Sequence, residues 1–590
     1  MPGLGGALDI ARWSMYSSQL AMEIVSHNVA NANTEGYSRQ SLRVEAGYPI
    51  TMGPGQIGTG VRAVEVLRNY DNFLNQQVTL KKSEYSFWSA SRSAMEEIES
   101  IFNETDGYGL NYLMGEFWNA WGDLSNNPDG VPERQALVNK TENLLSMIHE
   151  IDYNLRSYQR HLDGNIRGSV TEVNSIIRQI ADLNKSISSV EIDGMINAND
   201  LRDRRELLLE QLSQYMDITY YEEESTGQVQ VYIMGGTPLV LGYDTYEFVT
   251  SRNDATGFTD IFWQDSSGRQ VNVTDKLRAG KIAGWVNVRD NTIGSYIDSL
   301  NTMVGELVWR LNEIHSQGVG LAGVTSMEST VGGMTAASDL SSDFLFSDRY
   351  VAGAFEIIVY DSSGQVAGSY HIDPAGTTIG DLVNEINAES GVGGPITASI
   401  TAEGRFRIDA GTGYTFAVAP AATGTNGNAL AVMGVNTFFS WNETVGSPLD
   451  DITETIGLND AVAQDPTRIS TGRPDASGLV APGSNVTARQ IYSLQDLVIP
   501  DIGGTGVSTT LDAFYSSLVA QVGVDVQNSI NNEKFNDTLL GQYLRRKESV
   551  TGVNIDDEMA ELIKLQHLYQ ASAKLISVAD EMMEALISIK

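Results

Sequence analysis

The sequence predicts a multidomain α+β protein in which the N- and C-terminal portions form a long α-helical, coiled-coil-like shaft and β-rich domains are inserted between them. Three observations predict it. Both ends carry helical heptads with two apolar sides, a helical period runs from 132 to 190, and strand-like patterns rich in Gly, Thr and Ser interrupt the helices twice. At 590 residues the chain exceeds what one core can organise, and roughly 100 to 200 residues per domain implies several units.

The opening helix has apolar or small residues at Leu4, Leu8, Ala11, Met15, Ser18, Met22, Val25 and Val29, in alternating steps of four and three. A second line runs through Ile10, Trp13, Ser17, Leu20 and Ile24, so one partner would not cover this helix. It breaks off in SHNVANANTEGYSRQ (26–40). Asn31, Asn33 and Gly36 already suffice for a turn, which leaves Asn28 and Tyr37 as a surplus.

Residues 41–68 read as extended and turn-rich, with GPGQIGTG at 53–60 ahead of VRAVEV. Helical patterns follow at 70–102, at 109–128 where Pro128 ends the run, and at 132–190, a length of about 90 Å at ~1.5 Å per residue. A helix over 200–216 precedes alternating strands up to about 282, and helical periodicity returns at 287–315. Within the next segment AFEIIVYDSSGQVAGSYHI reads as a hairpin, TTIGDLVNEINAE as a short helix and ITASITAEGRFRIDAG as a second hairpin. Helices resume at 486–498 and 509–548. The last, about 555–589, repeats the opening: Leu562, Tyr569, Ile576 and Met583 lie on one seam, and Leu565, Leu568, Leu575, Met582 and Leu586 on another. The expected domains are a terminal coiled coil (1–35 and 553–590), a mainly helical shaft (36–216, 283–320 and 446–552), a β-rich domain (217–282) and a variable α+β or β-rich insert (321–445), of which assembly could dispense with 330–445.

Composition narrows the function. The net charge of −37 would repel nucleic acid and anionic membrane surfaces, which leaves other proteins as partners. No window holds eighteen uninterrupted apolar residues, and the first residues lack a basic region, apolar run and cleavage site, so export would need a specialised route. There is no cysteine to bridge or to ligate metal.

Chemical motifs are equally sparse. GPGQIG matches a phosphate-cradling spacing, but Pro54 sits inside it and a β-like run follows where the mechanism needs a helix N-terminus. His27, His149, His161, His315, His371 and His567 show no metal spacing, no serine stands in G-x-S-x-G, and Glu222, Glu223 and Glu224 read as solvated surface. Phe117, Trp118 and Trp121 read as helix core. No catalytic, cofactor-binding or metal-binding residue is expected, and no cofactor.

SHNVANANTEGYSRQ resembles the N-terminal signature of the bacterial flagellar rod, hook and hook-associated protein family, and GYSRQ is typical of its hook-filament junction members. The likeness continues in GTGVRAVEVLRNYDNFLNQQ (58–77), FWNAWGDLSNNP (117–128), RQALVNK (134–140), INANDLRDRRELLLEQLSQ (196–214) and GQVQVYIMGGTPLV (227–240), and closes with GVNIDDEMAELIKLQHLYQASAKLISVADEMMEALISI (552–589). Glu35 departs from the pattern, standing where many such proteins have Pro, and 330–445 lies in a region that varies.

The resemblance implies a structural adapter between hook and filament, exported by the flagellar type III apparatus, held beforehand by a cytoplasmic export chaperone, and self-associating in a helical ring or tube. Its further partners would be the hook protein and the second hook-associated protein. The assembly surface would comprise Leu4, Leu8, Met15, Leu20, Met22, Ile24, Asn28, Asn31, Asn33 and Tyr37 at one end. At the other it would comprise Leu562, Leu565, Leu568, Tyr569, Leu575, Ile576, Met582, Met583 and Leu586, shared with the chaperone. Amides that donate and accept at once would let the Asn-rich turn face several subunits. The alternatives are another axial component, such as the second junction protein or a hook subunit, and a secreted enzyme with its activity in 330–445.

Overall fold

A computed structural model describes residues 2–52, 55–105, 107–191, 196–223, 226–233, 235–446, 451–504 and 506–588, without the side chains of Pro2, Gly3, Met52 and Leu586. The fold is multidomain α+β, with long helices at both ends and several small sheets. The chain divides into two compact units: residues 1–96, 160–291 and 526–590 form one, and 97–159 with 292–525 the other.

In the first unit the helix Pro2–Asn31 lies against the C-terminal helix Ile555–Ser588. Strand Gln40–Ala46 pairs antiparallel with Val61–Arg68 around a bulge at Arg43/Val44, and between them Ile50–Met52 pairs with Gly55–Ile57. Gly55 of the glycine-rich stretch therefore opens a hairpin arm, Gly58 follows that arm and a strand comes next, while Gly53 and Pro54 lie outside the described residues.

The β-rich part has two sheets. One runs in the order Ile218–Glu222, Val229–Ile233, Thr237–Leu241, Asp244–Thr245, and the other places Thr259–Gln264 between Phe248–Arg252 and Gln270–Asn272. Their alternating inward residues, among them Val231, Leu239 and Ile261, form one core with Val173, Ile177 and Ile180 of the helix Val131–Val190. Two asparagines of that helix join the sheets as if they were backbone. Asn174 bonds both the N–H and the carbonyl of Phe248, and Asn184 donates to the carbonyls of Val229 and Gly242 at 2.8 Å each. Glu222, expected on a solvated surface, is instead half-buried and paired with Arg202 and Arg205 at 2.5 and 2.9 Å, because burying Arg205 demands a carboxylate. Glu223 is exposed, and Glu224 lies outside the described residues.

In the second unit the helix Leu110–Asn126 buries Phe117, Trp118 and Trp121, as their helical spacing predicts. The expected hairpins are present as Phe355–Tyr360 with Val366–Ile372, and Ile396–Ile400 with Phe406–Ala410. Each gains a strand that the sequence pattern did not suggest: Thr415–Pro420 on the first and Ser326–Glu328 on the second. The helix between the hairpins is Ile379–Ser390, started by a reciprocal Thr378–Asp381 capping box.

The helix expected over 287–315 is Ile293–Ser316, entered through a π turn at Val288–Thr292 after a separate helix Gly280–Asn287. The last part of the expected insert also packs differently from a free-standing module. Phe438 packs at a tilt against Trp121, 5.2 Å between ring centroids, and Asn312 accepts the N–H groups of Phe438 and Phe439. Aromatic area of that size goes where it can be fully buried, here between helices Leu110–Asn126 and Ile293–Ser316.

Candidate assembly surface at the chain termini

The turn after the N-terminal helix contains a left-handed Gly36 (φ +78°), which reverses the chain so that Tyr37 returns to that helix. Its hydroxyl donates to Asn28 Oδ1 at 2.7 Å, and the N–H of Gln40 donates to the same oxygen at 2.9 Å. Asn28 Nδ2 donates to the Gln40 carbonyl and to Glu558 Oε2, both at 2.9 Å. All four bonding positions of this buried amide are therefore occupied within one chain.

Glu558, in the first turn of the C-terminal helix, is fully buried and also receives Arg39 Nε at 2.5 Å. The same loop is tied to the helix Asn199–Tyr215: Ser38 N–H and Arg68 Nη1 both donate to Asp203, each at 2.9 Å. Burial, with Asp200, Asp203 and Glu558 close by, holds the Tyr37 phenol above its usual pKa, so it stays a donor. The phenolic proton is committed to Asn28, so His27 Nδ1, 3.0 Å away, donates to the phenolic oxygen.

The Asn28–Glu558 contact at one end and Ser14–Ser572 (Oγ to Oγ, 2.8 Å) further along set the two terminal helices antiparallel. Small residues let the backbones approach: Ala11, Ser17 and Ser18 are buried on one helix, and Ser572 and Ala579 on the other.

The C-terminal seam differs from the sequence-based one. Glu558, Leu565, Ser572 and Ala579 form the buried line at seven-residue spacing, flanked by half-buried Leu562, Tyr569 and Ile576, so the pairing draws on both expected seams. What remains outside is a different stripe: Leu568 (46% exposed), Leu575 (58%), Met582 (46%) and, beside it, Met583. The Leu586 side chain lies outside the described ones. On the N-terminal helix Ile24 is buried, Leu4, Leu8, Met15, Leu20 and Met22 are half-buried, and Trp13 and Tyr16 are exposed.

The expectation for Asn28 needs correcting. Asn28 has no capacity left for a neighbouring subunit, and Asn31 Nδ2 bonds the His27 carbonyl one turn back, because the turn closes on its own helix. Asn33 is exposed. Sequence reasoning missed Arg39, Gln40, Asp203 and above all Glu558, whose place among first-turn acids (Asp556, Asp557, Glu558) reads as ordinary helix-end charge.

Comparison with known proteins accounts for this arrangement. Residues 9–37 match the model of the flagella basal body rod protein family, and residues 549–589 that of the flagellar basal body rod FlgEFG protein C-terminal family. The paired ends are thus those of the flagellar axial class. Residues 95–328 match the helical domain of the flagellar hook-associated protein FlgK. Flagellar hook-associated protein 1 of Bacillus subtilis is 24% identical over 98% of this chain and 97% of its own length. Those of Salmonella typhimurium and Escherichia coli are 24% and 23% identical over 100% of both chains. The structure of the flagellar hook junction protein FlgK from Burkholderia pseudomallei superposes with a TM-score of 0.51, at 16% identity, covering 81% of this chain and all of that one. Over its whole length the chain is similar to the flagellar hook-associated protein 1 of these organisms.

Proposed function

We propose that this chain is a structural, non-enzymatic adapter that joins hook to filament in the extracellular bacterial flagellum, and that it assembles through its terminal helices. The observation that carries the assembly role is the stripe Leu568, Leu575 and Met582, left exposed after the two ends of the chain have paired. Contiguous apolar surface of this kind marks a protein contact. Before export the same stripe is the surface a cytoplasmic chaperone would cover, and the hook protein and the second hook-associated protein are the neighbours that an adapter at this position meets. Among the described residues no group of three or more His, Asp or Glu side chains could hold a metal ion, and no helix is long and apolar enough to cross a membrane.

Electron microscopy of a strain lacking the gene tests the reading. Hooks without filaments are expected, restored by the intact gene but not by one carrying Leu568→Ser and Leu575→Ser. Normal filaments on the deletion strain would refute it.

A further inference from the structure

In the second unit a cleft of about 620 Å³ is bounded by the strand Ser326–Glu328, by Arg405 beside it, and by parts of the segment 440–468. Its size is that of a small-molecule site, but its lining consists mainly of hydroxyls, amides and charged groups, where sites for apolar ligands are mostly aliphatic and aromatic. The one large apolar side chain in it, Trp441, is buried, and its Nε1 donates to Glu443 at 2.6 Å.

Two guanidiniums and two carboxylates meet in this lining, and none of them is hydrogen-bonded to an opposite charge. Arg405 Nη1 donates to the carbonyls of Ser329 and Thr330 at 2.8 and 3.0 Å, which fixes the guanidinium, while Glu328 stays 3.8 Å from its Nε. Arg468 reaches the Ser326 carbonyl only at 3.5 Å and the Asp465 carboxylate at 3.8 Å. The second oxygen of Glu328 is 3.8 Å from Arg407, and Asp460 is exposed and engages no other side chain among the described residues. Elsewhere arginines bond carboxylates directly, as Arg202 does Glu191 at 2.7 Å.

The two signs balance in the lining, although the chain as a whole carries −37. An acidic ligand would meet Glu328 and Asp460, and a basic one Arg405 and Arg468. An apolar peptide would displace the water on all four groups and leave them unpaired. Guanidiniums offer forks of N–H donors, carboxylates offer pairs of acceptors, and Asn442, exposed in the same lining, offers both. The ligand that answers this set is uncharged and carries adjacent groups that each donate and accept. Neighbouring hydroxyls on a sugar ring do so: the O–H donates to a carboxylate oxygen, and the lone pairs accept from a guanidinium.

We infer that this cleft binds a short neutral oligosaccharide, with Arg405 and Arg468 donating to ring hydroxyls and Glu328 and Asp460 accepting from them. The site lies apart from the terminal helices and is independent of their role in assembly.

The purified full-length chain is applied to a printed array of neutral gluco-, galacto- and manno-oligosaccharides, with oligogalacturonates and hexaglutamate alongside. Saturable binding to a neutral class is expected, competed by the free sugar and weakened about tenfold by Asp460→Asn and by Arg468→Gln, as loss of a charge-assisted hydrogen bond requires. Both substitutions change side chains that reach solvent, so the melting temperature should match the parent's, which separates lost binding from lost fold. Absence of binding to every neutral class, binding that neither variant weakens, or binding confined to the oligogalacturonates or to hexaglutamate overturns the inference.

Discussion

Asn28 and Glu558, 530 positions apart in the sequence, are joined by an amide-to-carboxylate hydrogen bond of 2.9 Å. The bond closes the chain's two ends into one element before any neighbour is involved. It also explains why the signature turn is so rich in polar residues: it must satisfy a buried carboxylate as well as reverse the chain.

Replacing Asn28 with Ala should therefore do more than lose a hydrogen bond. Glu558 stays buried with Arg39 as its remaining partner, and the Gln40 backbone loses both its bonds to the amide. A destabilisation of ~2–4 kcal/mol is expected, the range for opening a buried, charge-assisted network. Urea unfolding measures it, and amide exchange at the start of the C-terminal helix should rise in parallel. A variant as stable as the parent would show that the network does not hold the ends together.

The exposed and buried leucines of the C-terminal helix should separate cleanly. Leu568→Ser and Leu575→Ser change side chains that the single chain leaves in solvent, so the melting temperature should hold while filament attachment fails. Leu565→Ser empties a buried position and should lower stability by about 2–4 kcal/mol. Melting of purified protein alongside swimming assays distinguishes the two effects.

Asp217 and His315 predict opposite responses to acid. Asp217 is buried with one oxygen unpartnered, and burial pushes its carboxyl up to about 6. In the unfolded chain it ionises near 4, so between those values the folded state holds the extra proton and stability falls as pH rises. Above pH 6 the buried charge costs on the order of 2–3 kcal/mol at ~1.4 kcal/mol per pH unit. Asp217→Asn should be more stable than the parent at pH 7.5, with the advantage gone near pH 4.

His315 is buried between the Asn436 carbonyl, which accepts from Nδ1 at 2.8 Å, and the Ser470 N–H, which donates to Nε2 at 2.9 Å. Burial, with Arg134 adding repulsion, pushes its pKa down to about 4. The neutral ring is thus matched above pH 6.5, and its stabilisation declines as pH falls toward 4, by about 3 kcal/mol in all. Urea titrations from pH 7.5 to 4 should show this slope, and its absence would mean that the ring accepts a proton in place.

Phe438→Ala tests where the expected insert ends. The ring lies against Phe117, Trp121 and His315, and its loss should cost about 3–5 kcal/mol. A deletion carried to residue 445 would remove this ring as well as Phe439, and should unfold the second unit rather than spare it.

The sequence by itself determined the local elements and the class of assembly. Helical period, alternation and turn residues depend on neighbours within a few positions, so the helix ending at Val190, both hairpins of 354–411 and the two apolar-sided terminal helices are legible from them. The terminal and middle motifs carry the family for the same reason, being contiguous strings. Tertiary structure alone decided which apolar line became the intramolecular seam, because close packing turns on small residues such as Ser14 and Ser572 meeting across the pair rather than on where leucines are densest. It alone decided that Asn28 looks inward and that Glu558 is its partner, since a buried charge is recognised only when its counter-charge and donors arrive from elsewhere in the chain. The same holds for Phe438. Its neighbours in sequence are a turn and a two-residue strand, and the rings it packs against include those of helices more than a hundred positions away.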